Sequence, residues 1–511
     1  MAITDLNYHS YFSVFTGVDS DSKTAPFVPF KEGNYPSTYT HTTVSSPDIV
    51  YSPSTGRIRF RTPGDYLIFA CINVICGSNT SVSMAIEHND TAVYTTSDLD
   101  VRTSTDAIQA EGHIIVSVSK NDSVRVRIDG ASAVAAQKGS HFMVLKANGD
   151  YANAFYVTDS TDQTDDTYSV FNSSEGGQVN SKTSGVAYTA ANGKFTPSAT
   201  RKFLTISTHH YQSDTNRSNL EHTMMRGSSD AQKVDYALVT QVDPLTHTIG
   251  FAHGVSDTTY VAIVNTGTAG DTYTIKKGTC LTMLDISNGG TDPSSFLSFS
   301  TTKASNALSN SSGEKDVFHQ DNYGSSTITK SDRLTATGIT YTASNGKLTV
   351  SESGIYLILL NLAVKSVTTT GSPVLSIRKN DSEFYATRMN MHTAFDPTGW
   401  TAMLLADLNA ADYINVIVTS LGGTLDEHGS SITMIKIDET GSSRDVYAQQ
   451  DASGSVGDDY TLKTFDREVA GFQSDNLLNH QIPFSKGIAG PRNLRGRTTA
   501  YAPSLGAKTK K

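Results

Sequence analysis

The stretch GITYTASNGKLTVSESGIYLILLNLAV, at residues 338–364, decides the fold because the chain carries it three times. Diverged copies are DIVYSPSTGRIRFRTPGDYLIFACINV at 48–74 and GVAYTAANGKFTPSATRKFLTISTHHY at 185–211. Each copy has a glycine five positions after its first tyrosine, within turn chemistry that is typical of a tight hairpin. Similarity that recurs along a chain is the signature of repeated domains.

The three copies stay in register well beyond the quoted stretch. They are aligned on Tyr51, Tyr188 and Tyr341. An aromatic residue follows 15 positions later in every copy, at Tyr66, Phe203 and Tyr356. Their closing strands contain Leu145, Leu284 and Ile435, which lie 94, 96 and 94 positions after the origins. We therefore predict homologous domains at 1–147, 148–286 and 315–438, a connector rich in Ser, Asn and Gly at 287–314, and a further segment at 439–511.

Composition favours an all-β protein. A chain of 511 residues is too long for one hydrophobic core, and only 18% of its residues are charged. Short apolar runs alternate with Gly, Asn, Asp and Ser turns, and no credible helical period extends over twelve residues. In YLIFACINV and YLILLNLAV almost every position is apolar, which indicates strands covered on both faces. One face meets the partner sheet of its own sandwich, and the other needs a neighbouring domain or another subunit.

The order of these elements resembles a known jelly roll. The third copy runs from a Tyr-x4-Gly hairpin through SGIYLILLNLAV, SIRKNDSEFYA and LLADLNAADYINVIVTS to SSITMIKI, similar to complement globular heads and tumour-necrosis-factor-like proteins. It has Ala411-Asp412 where the family usually has Gly-Asp, and the second copy departs further because TRKF replaces the usual Gly-Tyr. The resemblance covers roughly residues 8–437. It implies three tandem two-sheet sandwiches, with trimers about an apolar axis.

The resemblance, together with the two-faced strands, leads us to expect a homotrimer. Tyr66, Tyr356 and Trp400 are the candidates for packing or trimer contacts. Three tandem copies of this kind look like virion proteins of tailed bacteriophages, where such domains serve in capsid decoration, fibres or receptor binding. That step is an analogy of form.

The cysteines indicate synthesis in a reducing compartment. Three cysteines in a chain of this length cannot form a disulfide framework. Cys71 and Cys76 lie five positions apart, so on one strand they face opposite sides of the sheet and do not pair. We expect them to be small buried hydrophobic side chains.

No catalytic or cofactor motif stands out. Adjacent residues on a strand point to opposite faces, so His209 and His210 are not expected to share one metal ion. The acidic run at 159–166 lacks the glycine and the closing glutamate of an EF-hand. We find no nucleophile elbow, P-loop or zinc-protease motif. We expect no enzymatic activity, no cofactor and no metal site.

The C-terminal segment differs from the rest in charge. Residues 486–511 hold seven basic and no acidic residues, which leaves 33 basic against 50 acidic residues elsewhere. The segment is too apolar for a free tail but too small for a core of its own, so we predict an extended attachment device. Its candidate contacts are Phe465, Phe472, Leu477, Phe484, Arg492, Arg495 and Arg497. A protein surface is the favoured partner, ahead of solvent alone or nucleic acid, since the segment lacks an aromatic series for base stacking.

Together these features predict a capsid decoration or cement protein on the virion surface, made in the host cytoplasm. Its partners would be its own copies and the major capsid protein or another virion protein. The alternative is a tail fibre or adhesin that recognises a host-surface glycan or protein. Fibres usually attach through an N-terminal segment, whereas YFSVF at 11–15 already has the pattern of a first strand. No apolar run is long enough for a membrane span.

Overall fold

The structure is a computed structural model. It describes residues 10–36, 41–76, 80–101, 108–130, 132–163, 167–173, 176–213, 219–237, 245–267, 272–287, 293–300, 307–308, 313–319, 336–366, 373–388, 398–420, 425–427, 430–438, 448–450 and 460–462. Met1–Asp438 forms one compact unit and Glu439–Lys511 a second.

The first sandwich lies within the predicted range 1–147. Its strands are β1 (Tyr11–Phe15), β2 (Lys23–Thr24), β3 (Thr42–Ser45), β4 (Ile49–Ser52), β5 (Arg57–Phe60), β6 (Gly64–Cys76), β7 (Thr80–His88), β8 (Thr91–Thr95), β9 (Leu99–Val101), β10 (Ile108–Val118), β11 (Ser123–Gly130), β12 (Ala133–Ala136) and β13 (His141–Lys146). A short 3-10 turn covers Glu32–Asn34. The inner sheet has the order β3-β1-β13-β6-β10, with β12 and β2 beside the end of β6, and the outer sheet has the order β4-β5-β11-β7-β8, with β9 beside β7.

The second sandwich repeats this topology. Its strands are β14 (Tyr151–Tyr156), β15 (Asp162–Gln163), β16 (Thr167–Ser169), β17 (Val179–Ser184), β18 (Val186–Thr189), β19 (Lys194–Pro197), β20 (Arg201–Ser213), β21 (Asn219–Arg226), β22 (Ser229–Ala237), β23 (Leu245–Val255), β24 (Val261–Thr266), β25 (Tyr273–Ile275) and β26 (Cys280–Asp285). The inner order is β17-β14-β26-β20-β23 and the outer order is β18-β19-β24-β21-β22. The divergent second copy therefore keeps the fold of the first.

The third sandwich follows the same plan. Its strands are β27 (Phe296–Ser300), β28 (Ala307–Leu308), β29 (Gly313–Asp316), β30 (Ile339–Thr342), β31 (Lys347–Val350), β32 (Gly354–Ser366), β33 (Val374–Lys379), β34 (Ser382–Arg388), β35 (Thr398–Leu408), β36 (Tyr413–Ser420), β37 (Leu425–Glu427) and β38 (Ser431–Asp438). The inner order is β27-β38-β32-β35 and the outer order is β30-β31-β36-β33-β34. The all-β prediction of tandem jelly-roll sandwiches is confirmed.

The interpretation of 287–314 as an extended connector is wrong for part of that range. Phe296–Ser300 is the first strand of the third sandwich and pairs with Ser431–Ile435 of β38. Its sequence FLSFS lies in a Ser-rich region, so composition does not indicate a strand there. All five of its residues are nevertheless buried. Pairing with β38 and burial against the outer sheet on one face and the second sandwich on the other therefore override a composition that is typical of a linker.

The hairpin glycines explain why the repeat survives divergence. Gly56, Gly193 and Gly346 have φ values of +67°, +65° and +67°, a conformation that side chains with a Cβ rarely adopt. An added Cβ at Gly193 would lie 2.9 Å from the backbone carbonyl carbon of Phe171. Glycine is thus required at the same turn in each copy, and the turn fixes the register of the strands that follow.

Each long inner strand buries both of its faces. In β6, Tyr66 and Ile68 point between the two sheets of the first sandwich, whereas Leu67 and Phe69 point out of it. The outward residues belong to one cluster shared by all three sandwiches, which we call the central layer. Its members are Tyr11, Leu67, Phe69, Cys71, Ile115, Met143, Leu145, Tyr151, Leu204, Ile206, Ala252, Leu284, Ile286, Phe296, Ile355, Leu357, Leu359, Met403, Leu405, Ile435 and Ile437. The outward apolar faces of the long strands are therefore covered by neighbouring domains of the same chain.

The cysteines behave as predicted. All three are free and buried, with Cys71 in the central layer and Cys76 inside the first sandwich, on opposite faces of β6. Among the residues that the structure describes, no helix has the length and apolarity needed to span a bilayer.

The second unit contains one described hairpin. Strand β39 (Ala448–Gln450) pairs antiparallel with β40 (Tyr460–Leu462). The residues proposed for attachment, Phe465, Phe472, Leu477, Phe484, Arg492, Arg495 and Arg497, lie outside the described residues.

The central layer predicts that the three sandwiches unfold together. Leu204 of the second sandwich is fully buried in this layer, and Leu204→Ala should cost about 2–5 kcal/mol through lost burial and a residual cavity. Trp400, the single tryptophan, lies in the third sandwich and reports on that sandwich alone. In urea, the variant should shift the Trp400 fluorescence transition as far as the far-ultraviolet circular dichroism transition.

The exposed control Val18→Ala should shift neither transition. An unmoved fluorescence transition in Leu204→Ala would show that the sandwiches unfold independently.

Candidate functional site

The feature that distinguishes this molecule is the junction of its three sandwiches. In each sandwich the last strand of the inner sheet, β10, β23 or β35, pairs on one side with the long strand of its own sheet. It then packs against the next sandwich in cyclic order, β10 on β14 and β26, β23 on β27 and β38, and β35 on β1 and β13. Equivalent surfaces meet three times, which is the head-to-tail arrangement of a closed threefold ring.

One hydrogen bond recurs at all three contacts and shows that they are equivalent. The Ile115 amide donates to Asn153 Oδ1 at 3.2 Å, the Ala252 amide to Ser298 Oγ at 3.0 Å, and the Leu405 amide to Ser13 Oγ at 3.4 Å. The donors are register partners of Leu67, Leu204 and Leu357. Each acceptor is the third residue of the first strand in the next sandwich. Each donor amide points away from its own sheet, where no neighbouring strand accepts its hydrogen bond, and the contact with the next sandwich satisfies it.

A polar layer lies beside the apolar one. Glu111, Thr248 and Thr401 are register partners of equivalent positions in the three long strands, namely Cys71, Thr208 and Asn361. Thr248 donates from Oγ1 to Glu111 Oε1 at 2.7 Å, and the Thr401 amide donates to the nearby Gln109 side chain at 3.2 Å. One residue from each sandwich therefore meets at the middle of the junction.

Burial sets the protonation states in this polar layer. Glu111 is fully buried, and loss of solvation raises the pKa of its carboxyl group to about 7, against the opposing effect of hydrogen bonds from Thr248, Cys71 and Thr401. His210 lies against the Glu111 backbone, with its Nε2 3.1 Å from the carbonyl oxygen, and burial lowers the pKa of its ring to about 4. Burial likewise lowers the pKa of His113, which bonds Thr282, to about 3.

The contact between the first and third sandwiches adds further polar pairs. Tyr385 donates its hydroxyl to the Gly139 carbonyl at 2.7 Å, and the Met403 amide bonds His141 Nε2 at 3.1 Å. Lys138 forms an ion pair with Glu383 at 2.8 Å. Between the first and second sandwiches, Tyr151 donates its hydroxyl to Asp65 at 2.8 Å, and Lys182 pairs with the same carboxylate.

The three candidates for packing or trimer contacts lie in the cores of their own sandwiches. Tyr66 is in the core between the sheets of the first sandwich, and Tyr356 and Trp400 are in the core of the third. The tyrosine hydroxyls donate to nearby backbone carbonyls, of Thr62 at 3.0 Å and of Glu352 at 2.8 Å. All three side chains therefore stabilise their own sandwiches. The contacts between sandwiches are made by the residues next to them in sequence, such as Leu67, Leu357 and Thr401.

The adjacent histidines His209 and His210 point to opposite faces of their strand, as expected. His209 points into the interior of the second sandwich, near Asn265, whereas His210 points toward Glu111 at the junction. Asp159 pairs with Lys276 at 2.7 Å and Asp162 accepts a hydrogen bond from Thr274 at 2.7 Å, while the remaining aspartates of that run lie outside the described residues. Within the described part of the chain, one group could hold a metal ion: His209, His222 and His247.

Sequence reasoning missed Glu111, although a signal was present. The strand IQAEGHIIVSV carries a glutamate within an otherwise apolar run, which is rare unless the group has buried partners. The partners Thr248 and Thr401 come from other repeats, so only the register of the three copies could have brought them together.

The junction predicts a specific pH dependence. Because the folded-state pKa of Glu111 is raised, stability is highest while the carboxyl is protonated and falls as the pH rises from about 4.5 to about 7. Relative to Glu111→Gln, the wild type should lose about 3 kcal/mol of unfolding free energy across this range. Buried His113 and His210 act in the opposite direction below pH 6.5 in both proteins, so the difference isolates Glu111. Urea unfolding at several pH values measures it. A pH-independent difference between the wild type and Glu111→Gln would contradict the assignment.

The comparisons with known proteins concern the fold. No family model matches the sequence, and no curated protein matches it. Among solved structures, the chain is similar to Eiger TNF from S. frugiperda, with 17% identity and a TM-score of 0.20, over 29% of this chain and 95% of that chain. It is also similar to the PRD1 vertex protein P5, with 23% identity and a TM-score of 0.22, over 28% of this chain and 98% of that chain.

Proposed function

We propose that the chain is a non-enzymatic structural protein of a virus particle, in which the three fused sandwiches form a rigid head and the C-terminal segment attaches it to the capsid. The observation that carries this proposal is the closed junction. Three sandwiches bury their outward faces against each other within one chain, and Val18 is the exposed large hydrophobic side chain in the described part. A head of this kind suits display on a surface, because its apolar faces are already covered.

In this arrangement, no second chain is needed to cover the apolar face that led us to expect a homotrimer. That expectation rested on the family resemblance and on an outward apolar face that needed a neighbouring domain or another subunit, and this face is covered by the other two sandwiches of the same chain. We propose instead that one chain does the work of a trimer. Fusion makes the contacts intramolecular, so they do not weaken on dilution as those of separate subunits do.

We propose the attachment role for residues 439–511 because of their charge and because they form a unit of their own. This range forms its own compact unit, and its last 26 residues carry seven basic and no acidic groups, whereas the rest of the chain is acidic. We propose an acidic protein surface on the particle, such as the major capsid protein, as its partner. Apolar burial of Phe465, Phe472, Leu477 and Phe484 would dominate affinity, because exposed ion pairs add only about 0–1 kcal/mol each.

Light scattering of the full chain tests the single-chain head. The expected molar mass is that of the monomer, 54.8 kDa, over a wide range of concentration. A mass three times larger would restore the homotrimer.

Deletion of residues 439–511 tests the attachment. The truncated head should keep the unfolding midpoint of the intact chain, because all three sandwiches lie in the other unit, but it should no longer bind particles that lack the protein. Undiminished binding would place the anchor on the head and favour the fibre or adhesin alternative, in which the head recognises a host-surface glycan or protein.

Two matched variants test how the segment binds. Replacing Arg492, Arg495 and Arg497 with glutamine removes three positive charges, and replacing Lys508, Lys510 and Lys511 with glutamine removes the same number. The arginine variant should weaken binding more, since a guanidinium makes two hydrogen bonds to a carboxylate whereas an ammonium acts as a point charge. Equal losses in a particle-binding assay would indicate charge attraction alone.

A further inference from the structure

The interior of the second sandwich contains a polar group that has no counterpart in the described parts of the other two sandwiches. His209 on β20 lies directly opposite His247 on β23 in the inner sheet, and His222 on β21 lies directly opposite Asn265 on β24 in the outer sheet. The two pairs face each other between the sheets. All four side chains are buried, with at most 2% of any residue exposed.

The internal repeat shows that these four positions are ordinarily apolar. Counting from the aligned tyrosines and hairpins, the first sandwich has Ile72, Ala110, Met84 and Ile128 at the corresponding places, and the third has Leu362, Trp400, Leu375 and Val418. All eight belong to the hydrophobic cores of their sandwiches. The fold therefore requires no polar side chain here, and the second sandwich alone has replaced a whole core layer with three imidazoles and an amide.

The geometry brings the imidazoles within reach of one ion. The rings of His209 and His222 stack with centroids 3.6 Å apart, and Nδ1 of His222 lies 2.8 Å from Nε2 of His247. One nitrogen from each histidine lies within 4.8 Å of those of the other two. Bonds of about 2.0–2.1 Å to a tetrahedral zinc ion would place the nitrogens about 3.3 Å apart, so small side-chain rotations suffice.

The hydrogen bonds leave part of this group unsatisfied. Nε2 of His209, Nε2 of His222 and Oδ1 of Asn265 are buried and have no hydrogen-bond partner among the described residues. Each such atom has lost its hydrogen bonds to water without gaining a partner, which is a large penalty for a core layer that could be apolar.

We propose that His209, His222 and His247 bind one Zn²⁺ ion inside the second sandwich, with the fourth position taken by the Asn265 amide oxygen or a water. Imidazole ligands suit zinc, copper and nickel, but ligands that converge from two facing sheets favour a tetrahedral site over the square-planar geometry of Cu²⁺ and Ni²⁺. The site is closed on all sides by the core, which is typical of structural rather than catalytic zinc. The ion would join the two sheets of this sandwich.

Metal analysis of the full chain tests the proposal. The protein is produced without a histidine tag, unfolded in chelator, refolded with Zn²⁺ and dialysed against zinc-free buffer. Elemental analysis should find one zinc per chain, and zinc should raise the thermal unfolding midpoint. Replacement of zinc by Co²⁺ should give the intense visible absorption of a tetrahedral site.

The internal repeat supplies the matched variant. His209→Ile, His222→Met and His247→Ala together introduce the residues of the first sandwich at the three ligand positions, so the variant should fold and retain no zinc. His253→Gln is the control, since His253 is a buried histidine of the same sandwich that bonds Thr205 instead, and it should still hold one zinc. The proposal is overturned if the wild type retains no zinc, or if the triple variant retains as much as the wild type.

Discussion

The structure depends on one constraint, which is that the outward face of each inner sheet has to be covered. The long strands β6, β20 and β32 place apolar side chains on both faces, so a sandwich folded alone would expose a sheet of leucine and isoleucine to water. Three such faces placed around one axis cover each other. Linking them in one chain makes this cover a part of folding, and the stability of each sandwich then includes a share of the other two.

The polar groups of the junction define how the three faces meet. An apolar layer alone would tolerate sliding of one sheet over another, because hydrophobic contact has no direction. The three amide contacts to Asn153, Ser298 and Ser13 are directional and recur in each pair of sandwiches. Glu111 adds an asymmetric contact, since the equivalent residues are Thr248 and Thr401. Fusion permits this asymmetry, because each copy can diverge where a true trimer would repeat one sequence three times.

Much of the fold could be predicted from the sequence because it is written in local patterns. The hairpin glycine, the aromatic residue 15 positions later and the closing strand can each be recognised in the sequence, and all three copies fold with the same topology. Other features could not be recognised from local patterns. The strand Phe296–Ser300 is short and lies in a Ser-rich region, and Tyr66 and Tyr356 belong to the face opposite to the one that meets other sandwiches. Periodicity shows that a face is covered, but it does not show by which chain. The histidine group is distributed over three strands, so only the register of two sheets brings it together.

The central claim is that the three sandwiches of a single chain cover one another. The ion pair between Lys138 of the first sandwich and Glu383 of the third, at 2.8 Å, allows a direct test by zero-length carbodiimide cross-linking. After cross-linking at low concentration, denaturing electrophoresis separates single chains from linked ones, and mass spectrometry locates the bond in each band. The account predicts the Lys138–Glu383 link in the single-chain band. Finding that link only in bands of two or more chains would show that the faces are covered by other subunits, and would contradict the account.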